Sequence, residues 1–95
     1  MISTINEAPP YRVRFTDGRH SASADTTPDK GGGESGFRPH DLLEAALATC
    51  MSMTATMYAV KHAIPLTWVL TKVTLDRSGS EPVVFRYSVE LSDET

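Results

Sequence analysis

A chain of 95 residues with a formal charge of −3 and 7% aromatic residues fits one small domain, expected to span residues 1–95, with a modest core. The charge leaves no basic footprint for nucleic acid, and the few aromatic residues leave no base-stacking platform. The single cysteine, Cys50, excludes an intramolecular disulfide framework and points to a reducing compartment.

Met1 to Pro10 lacks the basic and apolar blocks of a signal peptide, so a cytoplasmic protein is expected. The segment reads as a loose lead-in closed by Pro9-Pro10. Tyr11-Arg-Val-Arg-Phe-Thr16 alternates apolar and polar residues, the period of a half-buried strand. Asp17-Gly18 signals a type I′ hairpin turn, returning through Arg19–Ala24. Asp25 to Arg38, with Gly31-Gly32-Gly33 and Gly36, reads as a mobile connector or active-site lid. It lacks the Gly-Lys-Ser/Thr ending and the strand-to-helix setting of a phosphate-binding loop.

A helix is expected from Pro39 to about His62. Proline suits the first turn, Asp41 and Glu44 sit near the positive end, Lys61 and His62 near the negative one, and Pro65 stops it. Ala45 to Val60 carries no charge. Thr49, Ser52, Thr54 and Thr56 interrupt the run, which falls short of the roughly 20 residues of a membrane span. Apolar residues fall on every side of the helix, so a chain this short must cover it with a second copy. Thr67–Asp76 and Val83–Leu91 then read as two strands joined by a turn at Ser78–Pro82. The order β-β-α-β-β implies an α+β domain with antiparallel strands beside a long buried central helix.

The chemistry centres on Cys50. A free cysteine in an apolar helix is ordinarily packing material. To be reactive it needs a cation to favour the thiolate. His40 lies ten residues earlier, about 15 Å along the axis, out of reach. Arg12, Arg14 or Arg19 from the first hairpin would supply a permanent charge. His20, His40, His62 and Cys50 show no metal-ligand spacing. His20 reads as a solvated turn residue, Glu44 as a helix charge or a general base, and Met51, Met53 and Met57 as core filler.

The segment Gly31-Gly-Gly-Glu-Ser-Gly36-Phe-Arg-Pro39-His-Asp-Leu-Leu-Glu-Ala-Ala-Leu-Ala-Thr-Cys50, continued by Met51–Tyr58 and Ile64-Pro-Leu, resembles the OsmC/Ohr family. The resemblance covers roughly Tyr11 to Leu91. It implies an OsmC-like fold, an intertwined homodimer with its two central helices buried together, and a thiol peroxidase that reduces organic hydroperoxides or hydrogen peroxide. Cys50 stands at the position of the family's peroxidatic cysteine, which becomes a sulfenic acid. No metal or organic cofactor is implied. The family's resolving cysteine, carried on a later helix, has no counterpart within residues 1–95, and an external thiol or dithiol is the expected reductant. His40 stands where the family's peroxidases often carry the glutamate that steers the catalytic arginine. That arginine is assigned first to Arg19, and otherwise to Arg12 or Arg14. The expected site is therefore Cys50, Arg19, Arg12, Arg14 and His40. Two other readings stand beside it: a non-enzymatic OsmC-like dimer holding a small apolar ligand, and a structural or interaction module with Cys50 in its core.

Overall fold

The computed structural model describes residues 1–76 and 84–92. The chain forms two compact units, Met1–Leu42 and Leu43–Thr95.

The first unit is a three-stranded antiparallel sheet, β1 (Ser3–Ala8), β2 (Arg12–Thr16) and β3 (Ser21–Ala24), in the order β1-β2-β3. The segment expected as a lead-in is thus a strand. Its Ser-Thr-Ile start suits a sheet, but its one large apolar residue inside the strand, Ile5, is too little to reveal a period. Pairing with β2 decides it, in the register Ser3↔Thr16, Ile5↔Arg14 and Asn6↔Val13, with an irregularity between Asn6 and Ala8. The chain then turns through Pro9-Pro10, whose peptide bond is cis.

The turn between β2 and β3 takes four residues, Asp17 to His20, because Thr16 pairs with Ser21. A two-residue type I′ turn would require positive φ at both centres. Here Gly18 has φ 98°, and Asp17 is not in the left-handed region. Asp17 Oδ1 instead accepts the N–H groups of Arg19 (2.8 Å) and His20 (2.7 Å), and the Thr16 hydroxyl donates to the His20 carbonyl (2.7 Å). The turn is an aspartate-built cap.

Residues 25–38 are folded back on β3 instead of forming a loose connector. Asp25, 5% exposed, is the centre: Oδ1 accepts the Thr26 N–H at 2.7 Å, and Oδ2 accepts the Ser35 hydroxyl at 2.7 Å and its N–H at 3.2 Å. The Ser35 hydroxyl foremost, then the Thr26 N–H, hold the Asp25 carboxyl below its ordinary range against the opposing effect of burial. The Asp25 N–H donates to the Phe37 carbonyl at 3.0 Å, and Ala24 and Phe37 form a parallel bridge. Gly36 permits this approach, since a Cβ there would press on the Ser23 carbonyl, 3.0 Å from its carbon.

The helix α1 (Pro39–Lys61) starts as the sequence indicates. Asp41 Oδ2 accepts the N–H of Arg38 at 3.0 Å, the reach-back half of a capping box. The same carboxylate pairs with the guanidinium through Nε (3.3 Å) and Nη2 (3.1 Å). That pairing with Arg38 holds the Asp41 carboxyl below its usual range. At the other end the Ile64 N–H reaches the Ala59 carbonyl (2.8 Å) and the Ala63 N–H that of Val60 (3.2 Å). This is a Schellman motif, with Ala63 at φ 54° in the place usually taken by glycine.

The second unit places most of α1 with an antiparallel pair, β4 (Val69–Asp76) and β5 (Val84–Leu91), in register from Val69↔Leu91 to Asp76↔Val84. Both strands agree with expectation within two residues; the turn expected at Ser78–Pro82 lies outside the described residues. Two polar contacts fasten α1 to β4. Ser52 Oγ and Thr71 Oγ1 are 2.8 Å apart, and Glu44 Oε2 accepts the Leu75 N–H at 2.7 Å.

Candidate active site

The helix has two apolar faces with different fates. Glu44, Leu47, Ala48, Met51, Ser52, Ala55 and Ala59 are half-buried or buried. They recur at three- and four-residue steps along the side that meets β4. Leu43, Ala46, Cys50, Met53, Thr54 and Met57 recur at the same steps on the opposite side, and all six are exposed. Within one chain, therefore, only one side of the helix is covered. Only Ala59 of α1 is fully buried, because two strands can cover one side of a helix and no more.

Cys50 is free and exposed. The reading that packs it in the core of the chain does not hold. It is the middle residue of α1, eleven residues from either end, about 16 Å from each terminus at ~1.5 Å per residue. The helix dipole, which acts within the first and last turns, gives the sulfur no help there. Two nearby hydroxyls are also spent on the helix backbone. Thr49 Oγ1 donates to the carbonyls of Ala45 (2.8 Å) and Ala46 (3.2 Å), and Thr56 Oγ1 to Ser52 (2.8 Å). This back-bonding hides polar groups in the preceding turn and leaves the Cys50 face mostly hydrocarbon and sulfur.

The three arginines occupy different settings in the first unit. Arg12 is in β2 with its side chain 41% exposed, and its Nε lies 2.8 Å from Glu7 Oε1. Nε is itself shielded from solvent and not aligned as a hydrogen-bond donor, so the contact is an ion pair. Glu7 Oε1 also accepts the Ser23 hydroxyl at 2.8 Å. That hydroxyl first, and the charges of Arg12 and Arg14 after it, hold the Glu7 carboxyl below its ordinary range. Arg14, two residues on and on the same face of β2, is exposed and pairs across the sheet with Ile5 and Ser23. Arg19 is exposed in the turn, held by its backbone. His40 is the second residue of α1 and half-buried. Neither Arg14 nor Arg19 has a carboxylate within ion-pair distance among the described residues.

Glu44 is neither a free base nor a first-turn charge. It is the sixth residue of the helix and caps a backbone N–H of β4. Glu7 escaped sequence reasoning because the strand that carries it showed no period. His20 is exposed, 3.4 Å from Asp17 Oδ2. Among the described residues no three His, Cys, Asp or Glu side chains converge on a metal-sized site. No helix of the described residues is long and apolar enough to cross a membrane. A groove of about 380 Å³ lies beside the exposed face, lined by Ser52, Met53, Met57, Leu66, Trp68 and Val69 among others.

Comparison with known proteins agrees with this arrangement. The model of the family described as OsmC-like protein matches residues 31–95, from the glycine-rich loop through α1 and both later strands. A crystal structure from Legionella pneumophila superposes with a TM-score of 0.59 at 18% identity, over 94% of this chain. It is described as an organic hydroperoxide resistance protein OsmC, a predicted redox protein and regulator of sulfide bond formation. This chain spans 66% of that one's length. No curated protein matches. The α+β fold with one long helix and two small antiparallel sheets is the OsmC fold. With the match running through the helix that carries Cys50 and the strands that flank it, the chain belongs to the OsmC-like protein family.

Proposed function

We propose that this protein is a thiol peroxidase that works as a homodimer in a reducing, cytoplasmic setting. The observation that carries the reading is the exposure of Cys50 in the middle of an uncovered apolar face, on the helix that the family match includes. A second copy laid along Leu43, Ala46, Met53 and Met57 buries that face. It also draws the sulfur out of bulk water into a site where a fixed cation is worth more. The candidates for that cation are Arg12, Arg14 and Arg19 of the N-terminal hairpin.

The attack on peroxide needs one sulfur. The Cys50 thiolate attacks the outer oxygen of a hydroperoxide, and the S–O bond forms as the O–O bond breaks. The alkoxide leaves as an alcohol after taking a proton, and the sulfur becomes a sulfenic acid. The arginine favours the thiolate before attack and the developing oxyanion during it. An external thiol then attacks the sulfenic sulfur, forming a mixed disulfide and releasing water. A second thiol, or the other arm of a dithiol, displaces Cys50 and returns it to the thiolate.

The test is intact-mass spectrometry after one equivalent of cumene hydroperoxide, with and without dimedone. The expected product is a single added oxygen on the parent chain that dimedone converts to its adduct, and neither species in Cys50→Ser. Peroxide consumption by Cys50→Ser at the parent rate overturns the reading. The groove lined by Met53, Met57, Leu66 and Trp68 favours a second reading, a dimer without peroxidase chemistry that holds a small apolar ligand. Titration with an environment-sensitive apolar dye distinguishes it: saturable binding by a protein that forms no sulfenic acid favours this alternative.

A further inference from the structure

We infer that the hydroxyl of Thr54 is a hydrogen-bond donor to the peroxide oxygen at Cys50. The inference rests on the peroxidase reading above and adds a residue from the sulfur's own helix, where position follows from helix geometry. A thiolate that displaces an alkoxide gains from a donor aimed at the oxygen on which charge gathers. Such a donor must lie near the sulfur and must not be spent elsewhere.

Thr54 meets both needs. It stands four residues beyond Cys50 on the same exposed face of α1, which sets the two Cβ atoms about 5–6 Å apart. Helical side chains lean toward the N-terminus, so each covers the surface over the turn before its own. The Thr54 side chain therefore overlies the turn that carries Cys50, at a spacing that an oxygen seated on the sulfur bridges. The other hydroxyls of this stretch are engaged. Thr49 and Thr56 donate to carbonyls of their own helix, and Ser52 pairs with Thr71. The Thr54 hydroxyl makes no hydrogen bond to any described residue. Its companions on the face, Leu43, Ala46, Cys50, Met53 and Met57, present only hydrocarbon and sulfur. A free hydroxyl isolated on an apolar surface beside the nucleophile is therefore available to a substrate oxygen.

In the attack on peroxide the S–O bond forms as the O–O bond breaks. The leaving alkoxide accepts the Thr54 hydrogen bond until water protonates it, and Thr54 keeps its own proton. Alkylation by iodoacetamide expels iodide instead and makes no use of that hydroxyl, so the two reactions separate an oxygen donor from a change in the thiol itself.

The test compares two rates in the full chain at one pH: sulfenic acid formation with cumene hydroperoxide, captured by dimedone in timed samples, and alkylation by iodoacetamide. Thr54→Val keeps the branched shape and removes the hydroxyl. It is expected to slow sulfenic acid formation roughly tenfold, the worth of one hydrogen bond to developing charge, and to leave alkylation unchanged. Thr54→Ser restores most of the peroxide rate. Thr49→Val and Thr56→Val, whose hydroxyls are already engaged, react with peroxide at the parent rate. Thr54→Ala gives the same readout if the valine variant fails to fold. Sulfenic acid formation by Thr54→Val at the parent rate overturns the inference and leaves the peroxidase reading standing. So does an equal loss in both reactions, which marks a change in the sulfur's surroundings and not a lost donor. A parent that forms no sulfenic acid overturns both.

Discussion

Met57→Ala tests the covered-helix argument quantitatively. Met57 is 68% exposed in the single chain and lies two turns from Cys50 on the same face. Truncation to alanine removes three heavy atoms, worth about 2.4 kcal/mol if fully buried at ~0.8 kcal/mol per methylene-sized group. Only the part that a partner newly covers counts toward association, which brings the figure to about 1.6 kcal/mol per copy. A two-fold interface uses the same patch twice, so the loss doubles to about 3 kcal/mol, or roughly 200-fold in the dimer dissociation constant. Sedimentation over a dilution series measures it, with far-UV circular dichroism confirming that the fold is kept. A parent that is a well-folded monomer at micromolar concentration refutes the reasoning. So does a Met57→Ala dissociation constant within threefold of the parent's, because the face would then be covered by something other than a second copy.

Other outcomes follow from the two units. Ala63→Gly relieves a non-glycine residue at φ 54° in the Schellman position and raises stability by about 0.5–1 kcal/mol after the entropy of the freer unfolded chain is counted. Urea unfolding measures the gain. Gly36→Ala forces a Cβ against the Ser23 backbone and lowers stability by about 1–3 kcal/mol by the same assay. Glu44→Ala leaves the part-buried Leu75 N–H without its acceptor and costs about 1–3 kcal/mol. The Asp25 carboxyl has a folded-state pKa below the unfolded value of about 3.9, so it contributes stability above that pH. The contribution is lost as pH falls through the folded value. Asp25→Asn should therefore lower the thermal midpoint at pH 7 and narrow its gap from the parent below pH 4, measured by calorimetry across that range.

The helix and the last two strands were legible because their signals are local. Pro39, Asp41 and Lys61 mark α1 by the physics of helix ends, and the alternation from Phe85 to Leu91 marks β5 by the period of a sheet. The first strand was not legible. Residues 3–8 hold one large apolar side chain, and what makes them a strand is pairing with β2, four to thirteen residues later in the register. The glycine-rich loop failed for a similar reason. Its order comes from Asp25 reaching Ser35 across ten residues, a contact with no periodic trace. The place of Cys50 on α1 was legible, but its exposure within the single chain was not. Every side of α1 is hydrophobic, a pattern that carries no mark of which side the chain itself covers.

That division of the helix also decides where Cys50 points. β4 meets the face of Glu44 and Ser52, where two polar contacts fix the rotation of the helix about its axis. Their eight-residue spacing, from 44 to 52, spans two turns, so together they set one rotation. Given that rotation, Ala46, Cys50, Met53 and Met57 must point the other way. The reactive sulfur is therefore presented by the same contacts that anchor the helix. Loss of both, in a Glu44→Ala/Ser52→Ala pair, should loosen the face as a whole and spread Cys50 alkylation rates across conformers, while either single change leaves one fastener in place. If the double variant alkylates with the parent's single-exponential rate, the helix is oriented by its apolar packing alone and the two polar contacts are incidental.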